Sequence, residues 1–346
     1  MKYNLFISFT KNQNNTISEI INSNIISGEN MLISSSNNIP ECFDKKNVLY
    51  INKINSIPRA FKNILFRTQK IEAYSFLQEK FSSSTQVEII IPHFINLISN
   101  HIFLKREELF PKSNTIFSIY PDGIALYFPQ KADFQNIRTS HYLPVLYRYF
   151  MGKITGLQYR MFTGSIIDPF KTINNIYTYF PAITPMYSAD SKILIPTKTK
   201  NCMGNNVLIL GAAKNYKLDE EYFLDLKQYI SELFSSEVSV YFKPHPSLIS
   251  NAVKSPLELI YNSLIVINDD SPAENMIDQL NIGSVITLSF FSSTLLHLKN
   301  VYGDSIGCYI YKADTFIRDR NENDLVDLQN IMDKLNIKLV TGDMKR

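Results

Sequence analysis

Cysteine is scarce in this chain of 346 residues, and its placement excludes two kinds of structure. The three cysteines, Cys42, Cys202 and Cys308, lie far apart, and none belongs to a C-x-x-C pair. This spacing indicates neither a disulfide framework nor a thiolate metal site. We therefore expect a protein of a reducing compartment.

The chain also has few glycines, no long apolar run and little net charge. With 11 Gly, 15 Pro and 45% hydrophobic residues, the composition is that of a folded chain and excludes disordered or collagen-like proteins. No window approaches the roughly 20 apolar residues of a membrane-spanning helix, and the apolar N-terminal stretch is too short for a signal peptide. A net charge of +3 is too small for a nucleic-acid clamp. We expect a cytoplasmic protein without a nucleic-acid partner.

Short apolar runs alternate with helical patterns along the chain, which predicts an α/β fold. In the first half, strands are predicted at 4–10, 47–51, 87–91 and 115–119. In the second half, strands at 207–210 and 238–242 flank a helix whose apolar residues share one face, namely Tyr222, Leu226, Tyr229, Ile230 and Leu233. This order predicts a βαβ unit with parallel strands, and a second unit ends at 283–291.

The chain is long enough for two domains with separate cores. Residues 181–206 are polar and rich in turn-forming residues, which predicts a linker. We expect an N-terminal domain at 1–185, a C-terminal domain at 200–320 and a terminal helical segment at 321–346.

Candidate site residues follow the predicted strands, because open parallel sheets bind ligands beyond the carboxyl ends of their strands. The strand 115–119 runs into Tyr120, Pro121, Asp122 and Gly123. Pro-Asp-Gly is typical of a turn. A carboxylate at a strand exit is also where a general base would lie, so both interpretations stay open.

His245 lies between two prolines, in the segment Lys243-Pro244-His245-Pro246 after the strand 238–242. Proline fixes its own φ and favours an extended residue before it, so this histidine is predicted to be held on a stiff, extended segment. A rigid segment of this kind suits an imidazole that contacts a leaving group. A structural histidine in a rigid turn is the alternative.

Two predicted helix starts carry polar residues with two interpretations each. Ser292, Ser293 and Thr294 follow the run 283–291, and a first helical turn with hydroxyls can bind phosphate. The alternative is that Ser292 or Ser293 is only an N-cap. The segment Ser271-Pro272-Ala273-Glu274 has the spacing of a capping box, whereas its carboxylate could instead bind a ribose diol.

Taken in order, these motifs resemble those of the bacterial GT-B sialyltransferases. That group includes the lipooligosaccharide sialyltransferases of glycosyltransferase family 52 and related polysialyltransferases, which share an acidic pair before glycine, a His-Pro pair and a Ser-Ser or Ser-Thr pair. The resemblance covers residues 120–294. Pro121 stands where the first acid is usual, while the acid next to glycine is kept as Asp122. The resemblance implies two Rossmann-like domains that face each other across a cleft.

The resemblance also implies a reaction. The donor would be CMP-N-acetylneuraminic acid, and the acceptor a terminal sugar, expected to be a galactoside, of lipopolysaccharide, O-antigen or capsule. Asp122 would be the general base of an inverting transfer from the N-terminal, acceptor-side domain, and His245 would act on the departing CMP phosphate. The implied donor-binding residues are Gly123, Gly211, Lys243, Pro246, Glu274, Ser292, Ser293 and Thr294. Because the leaving group has one phosphate and the chain has no Asp-x-Asp triplet, no metal or other cofactor is expected.

Three alternatives to this function stay open. A CMP-Kdo transferase uses the same CMP phosphate and a similar sugar acid. CDP-polyol phosphotransferases usually have a second histidine before glycine, whereas His93, His101 and His141 are not followed by glycine. A two-lobed nucleotide or sugar-phosphate binding protein would have the same architecture without catalysis.

One segment is a candidate for peripheral contact with the inner face of the cytoplasmic membrane. Residues 59–70 mix basic and apolar side chains. An ordinary solvated helix is the alternative interpretation of this pattern. The oligomeric state is not predicted.

Overall fold

The computed structural model divides the chain into two compact units, Met1–Pro196 and Thr197–Arg346. The residues that the structure describes are 2–51, 75–77, 79, 81, 86–111, 113–127, 131–132, 142–155, 157–162, 164–197, 199–211, 220–234, 238–244, 264–267, 273–288, 292–312 and 322–340. Within them, no helix has the length and apolar character needed to cross a membrane. The candidate membrane segment 59–70 lies outside the described residues.

The N-terminal unit is built on a parallel sheet of seven strands. In chain order these are β1 (Lys2–Ser8), β2 (Glu29–Ser34), β3 (Val48–Tyr50), β4 (Gln86–Ile91), β5 (Asn114–Ile119), β8 (Asn175–Thr178) and β9 (Ser191–Leu194). Their spatial order is β3-β2-β1-β4-β5-β8-β9, while β6 (Lys131–Ala132) and β7 (Gly164–Ser165) form a small antiparallel pair. The central strands are buried almost throughout, as expected for a parallel sheet covered on both faces.

Four helices of this unit have both ends within the described residues. They are α1 (Lys11–Asn22), α2 (Leu97–Leu104), α3 (Arg106–Leu109) and α4 (Tyr142–Thr155). Helix α1 begins directly after β1, with Thr10 as its N-cap, and buries Ile17 and Ile20 against the sheet core. The start of α1 therefore lies at the carboxyl edge of the sheet.

The C-terminal unit has a second parallel sheet, of six strands. These are β10 (Asn206–Leu210), β11 (Val240–Lys243), β12 (Ile265–Val266), β13 (Ile282–Leu288), β14 (Gly307–Tyr311) and β15 (Ile337–Val340), in the order β12-β11-β10-β13-β14-β15. Its described helices are α5 (Glu220–Leu233), α6 (Met276–Gln279), α7 (Ser293–Tyr302) and α8 (Glu322–Lys334). Leu226 and Ile230 of α5, two residues of the predicted helical face, pack on the sheet with Tyr222 and Tyr229 beside them. Phe223 is buried there although it was not predicted, and Leu233 of the predicted face is exposed.

Two predicted segments are parts of sheets. The stretch 181–206, predicted as a linker, contains β9, which pairs with β8 at the edge of the first sheet. The division between the two units falls within this stretch, after Pro196. The stretch is nevertheless not all linker, because a half-exposed edge strand is polar enough to resemble a loop. The segment 321–346 contains α8 and also β15, which pairs with β14. It is therefore part of the second sheet as well as helical.

Each sheet has one point at which the strand order reverses. In the first sheet it lies between β1 and β4, and in the second between β10 and β13. Ligand sites in open α/β sheets form at the carboxyl ends of strands beside such a point. The residues that follow these strands are therefore candidates for a ligand site.

Candidate functional site

The exit of β5 holds Asp122 in a fixed place at the carboxyl edge of the first sheet. The buried Tyr120 donates its backbone N–H to the carbonyl of Ile91 on β4, at 3.1 Å. Its phenol donates to the carbonyl of Ile7 on β1, at 2.7 Å. The segment that carries Asp122 is thereby tied to two neighbouring strands.

Gly123 gives the chain the turn that the Pro-Asp-Gly pattern predicts. Its φ is +60°, in the left-handed region that a side chain disfavours. A short 3-10 turn, Gly123–Leu126, follows at once, and Tyr187 donates its hydroxyl to the carbonyl of Leu126 at 2.9 Å. The turn interpretation and the base interpretation are therefore compatible, because Gly123 turns the chain directly after Asp122.

The carboxylate of Asp122 faces a histidine that the sequence did not single out. His93 Nε2 lies 3.4 Å from Asp122 Oδ2, with the two side chains 15% and 30% exposed. His93 comes two residues after the end of β4, next to β5 in the sheet. The rule that selected Asp122, a polar side chain just past a predicted strand, would also have found His93.

Gln13, in the first turn of α1, contributes a second contact to the same carboxylate. Its side chain is buried and hydrogen-bonds Asp122. Its Oε1 accepts the backbone N–H of Phe9 at 2.6 Å, so the amide nitrogen is the atom left to donate to the carboxylate. Gln13, His93 and Asp122 thus follow three adjacent strands, β1, β4 and β5, along the chain.

These contacts set the charge state of Asp122. Burial alone would raise the pKa of its carboxyl, but the hydrogen bond and charge of His93 and the hydrogen bond of Gln13 lower that pKa below its usual range. Burial and the nearby Asp122 charge raise the pKa of Tyr120, so this phenol stays protonated. At neutral pH the site contains a carboxylate that can accept a proton.

In the second sheet, the ends of β10 and β11 bring two predicted donor-site residues together. The N–H of Gly211 donates to the carbonyl of Lys243 at 2.8 Å, and the Lys243 side chain is buried. The Gly211 amide is thus used inside the protein, so this residue could serve a ligand only by allowing close approach. His245 and Pro246 come next along the chain and lie outside the described residues.

Helix α7 begins five residues after the end of β13, with Ser292 as its N-cap. The Ser292 hydroxyl accepts the N–H of Thr294 at 3.2 Å, and the Ser292 carbonyl accepts the N–H of Leu295 at 3.1 Å. The N-cap interpretation is correct for Ser292. Ser293 is exposed, and its N–H and hydroxyl bond to no other described residue. Ser293 is thus the residue of this turn that stays a candidate for a phosphate contact.

Glu274 lies on a 3-10 turn, Ala273–Asn275, that leads into α6 and packs against α7. Its side chain is half-buried and pairs with no described residue. Ser271 and Pro272, needed for the predicted capping box, lie outside the described residues. Across the part of the chain that the structure describes, no three His, Cys, Asp or Glu side chains are grouped to hold a metal.

Comparisons with known proteins agree with this architecture. The family model for Alpha-2,8-polysialyltransferase (POLYST) matches residues 4–308. None of the curated proteins matches in sequence. An alpha/beta-galactoside alpha-2,3-sialyltransferase from the luminous marine bacterium Photobacterium phosphoreum superposes with a TM-score of 0.52 at 14% identity, covering 98% of both chains. The GT-B domain of a sialyltransferase from Photobacterium damselae covers 99% of this chain and 100% of its own, with 12% identity and a TM-score of 0.49. The likeness to the first of these structures confirms the predicted fold of GT-B type.

Proposed function

The chain belongs to the alpha-2,8-polysialyltransferase family, and we propose that it transfers N-acetylneuraminic acid from CMP-N-acetylneuraminic acid to a terminal sugar of a bacterial surface glycan. The observation that supports this proposal best is the partly exposed Asp122 carboxylate. His93 and Gln13 contact it at the point where the strand order of the first sheet reverses. A carboxylate with a lowered pKa is ionised at neutral pH and can take a proton as a general base.

The proposed step is an inverting displacement at the anomeric carbon. As an acceptor hydroxyl attacks, its oxygen forms a bond to that carbon and its proton passes to Asp122. The bond from the anomeric carbon to the CMP phosphate oxygen breaks, and its electron pair leaves with CMP. The centre becomes oxocarbenium-like, as in other glycosyl transfers. His245 would donate a proton or a charged hydrogen bond to the departing phosphate.

Residues of the second unit would bind the donor. The Ser293 N–H and hydroxyl are available at the start of α7, where the helix dipole favours an anion. The half-buried Glu274 lies on the turn that packs against this helix and would bind the ribose or base of CMP. Gly211, Lys243, Pro246 and Thr294 would complete the donor site, while Ser292 caps α7.

Two acceptor classes are candidates. A galactoside is the acceptor expected from the sequence. The family's description as alpha-2,8-polysialyltransferase favours a glycan that ends in sialic acid. The glycan would belong to lipopolysaccharide, O-antigen or capsule, and the enzyme would work in the cytoplasm at the inner face of the membrane.

The test is acceptor-dependent release of CMP. The protein is incubated with CMP-N-acetylneuraminic acid or CMP-Kdo and a panel of acceptors ending in galactose, N-acetylgalactosamine or sialic acid. Release only with CMP-N-acetylneuraminic acid and one acceptor class supports the proposal and selects the acceptor. Release only with CMP-Kdo would make the chain a Kdo transferase. Stabilisation by CMP on heating, without release from either donor, would instead indicate a binding protein.

The Asp122→Asn variant tests the base. We expect its turnover to fall about 10²- to 10⁴-fold, because asparagine cannot take the acceptor proton, while the protein stays folded. Asp190→Asn is the matched control, since Asp190 is an exposed carboxylate of the same unit and should leave the rate unchanged. Wild-type turnover by Asp122→Asn would remove this residue from the mechanism.

A further inference from the structure

A carboxylate beside a histidine can work as a base in two ways. The imidazole can take the proton while the carboxylate orients it, as in serine hydrolases, or the carboxylate can take the proton while the imidazole orients it. His93 and Asp122 form such a pair, with His93 Nε2 facing Asp122 Oδ2 at 3.4 Å. Their surroundings distinguish the two assignments.

The second nitrogen of His93 cannot reach a substrate. A histidine base that is oriented by a carboxylate uses one nitrogen for the carboxylate and the other for the reacting proton. Here Nε2 faces Asp122, while Nδ1 is shielded from solvent and has no hydrogen-bond partner among the described residues. The Asp122 side chain is 30% exposed, twice the exposed fraction of His93. The carboxylate is therefore the more accessible member of the pair.

The contact with the carboxylate indicates which imidazole nitrogen carries a proton. An ionised carboxylate only accepts hydrogen bonds, so the nitrogen that faces it is the donor. This holds for the imidazole protonated on Nε2 alone and for the doubly protonated ring. His93 therefore presents an N–H at Nε2 to Asp122.

We infer that His93 is a positioning residue, whose Nε2–H holds the Asp122 carboxylate in the orientation that receives the acceptor proton. This inference rests on the proposed function, in which Asp122 is the base. Gln13 is the second donor, with its amide oriented by the N–H of Phe9. A carboxylate offers about four lone-pair sites, so two donors leave room for the acceptor hydroxyl.

The pair of variants that tests this inference differs in one donor group. His93→Leu replaces the imidazole with an apolar side chain of similar size that has no N–H. We expect its kcat to fall about 10- to 100-fold. In His93→Gln the amide nitrogen can take the place of Nε2 and donate to Asp122, so kcat should stay within a few-fold of the wild type. The KM for CMP-N-acetylneuraminic acid should not change in either variant, because the proposed donor residues lie in the other unit.

A pH profile gives a readout that a merely structural role would not move. The titratable or polar described groups that face Asp122 are His93 after β4, Gln13 on α1 and Tyr120 after β5. Without the hydrogen bond of His93, burial raises the pKa of Asp122. The acid limb of kcat/KM should therefore move to higher pH in His93→Leu, and less in His93→Gln.

A matched control is His101→Gln, another buried histidine of the same unit, whose Nδ1 accepts the N–H of Gln158 at 2.8 Å. It should lower the melting temperature without moving the acid limb. Adding His93→Leu to Asp122→Asn should cost no further activity, because His93 acts only through the carboxylate.

The outcomes separate the two proposals. If Asp122→Asn is inactive but His93→Leu turns over at the wild-type rate with an unmoved acid limb, the positioning role is wrong and the proposed function stands. If His93→Gln and His93→Leu are equally inactive and Asp122→Asn loses less than either, His93 is the base. If Asp122→Asn keeps the wild-type rate, it is the proposed function that fails.

Discussion

Asp122 combines partial burial with a lowered pKa, and the cause is a pair of hydrogen-bond donors. Its carboxylate would be costly to leave charged among the strand ends without partners. His93 and Gln13 offset that cost and favour the ionised form. Since its folded pKa lies below the usual value, Asp122 stabilises the fold above that value, and this stability is lost as the pH falls through the folded pKa.

Gly123 is the residue whose backbone makes this placement possible. In Gly123→Ala, a φ of +60° would strain an L-residue by about 1 kcal/mol, and the strain is relieved by moving the peptide next to Asp122. We expect a lower kcat together with a small loss of melting temperature, measured by steady-state kinetics and thermal unfolding.

Gly164→Ala is the control for Gly123→Ala. Gly164 also has a positive φ, of +86°, and an added Cβ meets no atom within 4 Å. It should lose stability with an unchanged kcat. An equal loss of kcat in both variants would mean that strain anywhere in the unit, and not the position of Asp122, lowers turnover.

At the scale of elements, the first turn of α7 divides two tasks between neighbouring serines. Ser292 caps the helix through Thr294, whereas Ser293 has no partner among the described residues. Ser292→Ala should therefore lower the free energy of unfolding by about 0.5–2 kcal/mol. Ser293→Ala should leave stability unchanged and raise the KM for CMP-N-acetylneuraminic acid.

Each serine variant is the control for the other, with unfolding and kinetics measured on both. The proposed phosphate contact at Ser293 would be contradicted if Ser293→Ala kept the wild-type KM. If Ser293→Ala destabilised the protein as much as Ser292→Ala, the two serines would share the capping role.

At the scale of the whole molecule, the two units have the same plan. Each is a parallel sheet with one reversal of strand order, and candidate site residues follow strands near that reversal in both. The family assignment and the GT-B fold agree with this repeated plan. The first unit thus has the Asp122 carboxylate at the edge of its sheet, and the second has hydroxyl side chains at the start of α7.

We predict that the whole enzyme works without a divalent metal. The leaving CMP has a single phosphate, for which the proposed contacts are the amide and hydroxyl of Ser293 and the side chain of His245. CMP release measured after dialysis against EDTA should equal that of the untreated protein. A rate that falls with EDTA and returns with Mg²⁺ or Mn²⁺ would show that the metal-free mechanism is wrong.

The sequence predicted most of what depends on local pattern. The helix 220–233, the strands around residues 87–91, 115–119 and 207–210, and the motif order that led to the sialyltransferases are all readable along the chain. Edge strand β9 was missed because its residues are half-exposed, and β15 because its segment was predicted as helix only. Both take their strand structure from pairing with a neighbouring strand, β8 for β9 and β14 for β15. This pairing is not visible in the local pattern of residues.

The sequence by itself determined the fold class, the family and the choice of Asp122, because apolar periodicity, strand exits and motif order are properties of consecutive residues. Only the tertiary structure decided which groups surround that carboxylate. Gln13, His93 and Asp122 are far apart along the chain and meet because β1, β4 and β5 are neighbours in one parallel sheet. The charge state of Asp122 follows from that meeting, since it depends on burial and on donors that the fold brings within hydrogen-bonding distance.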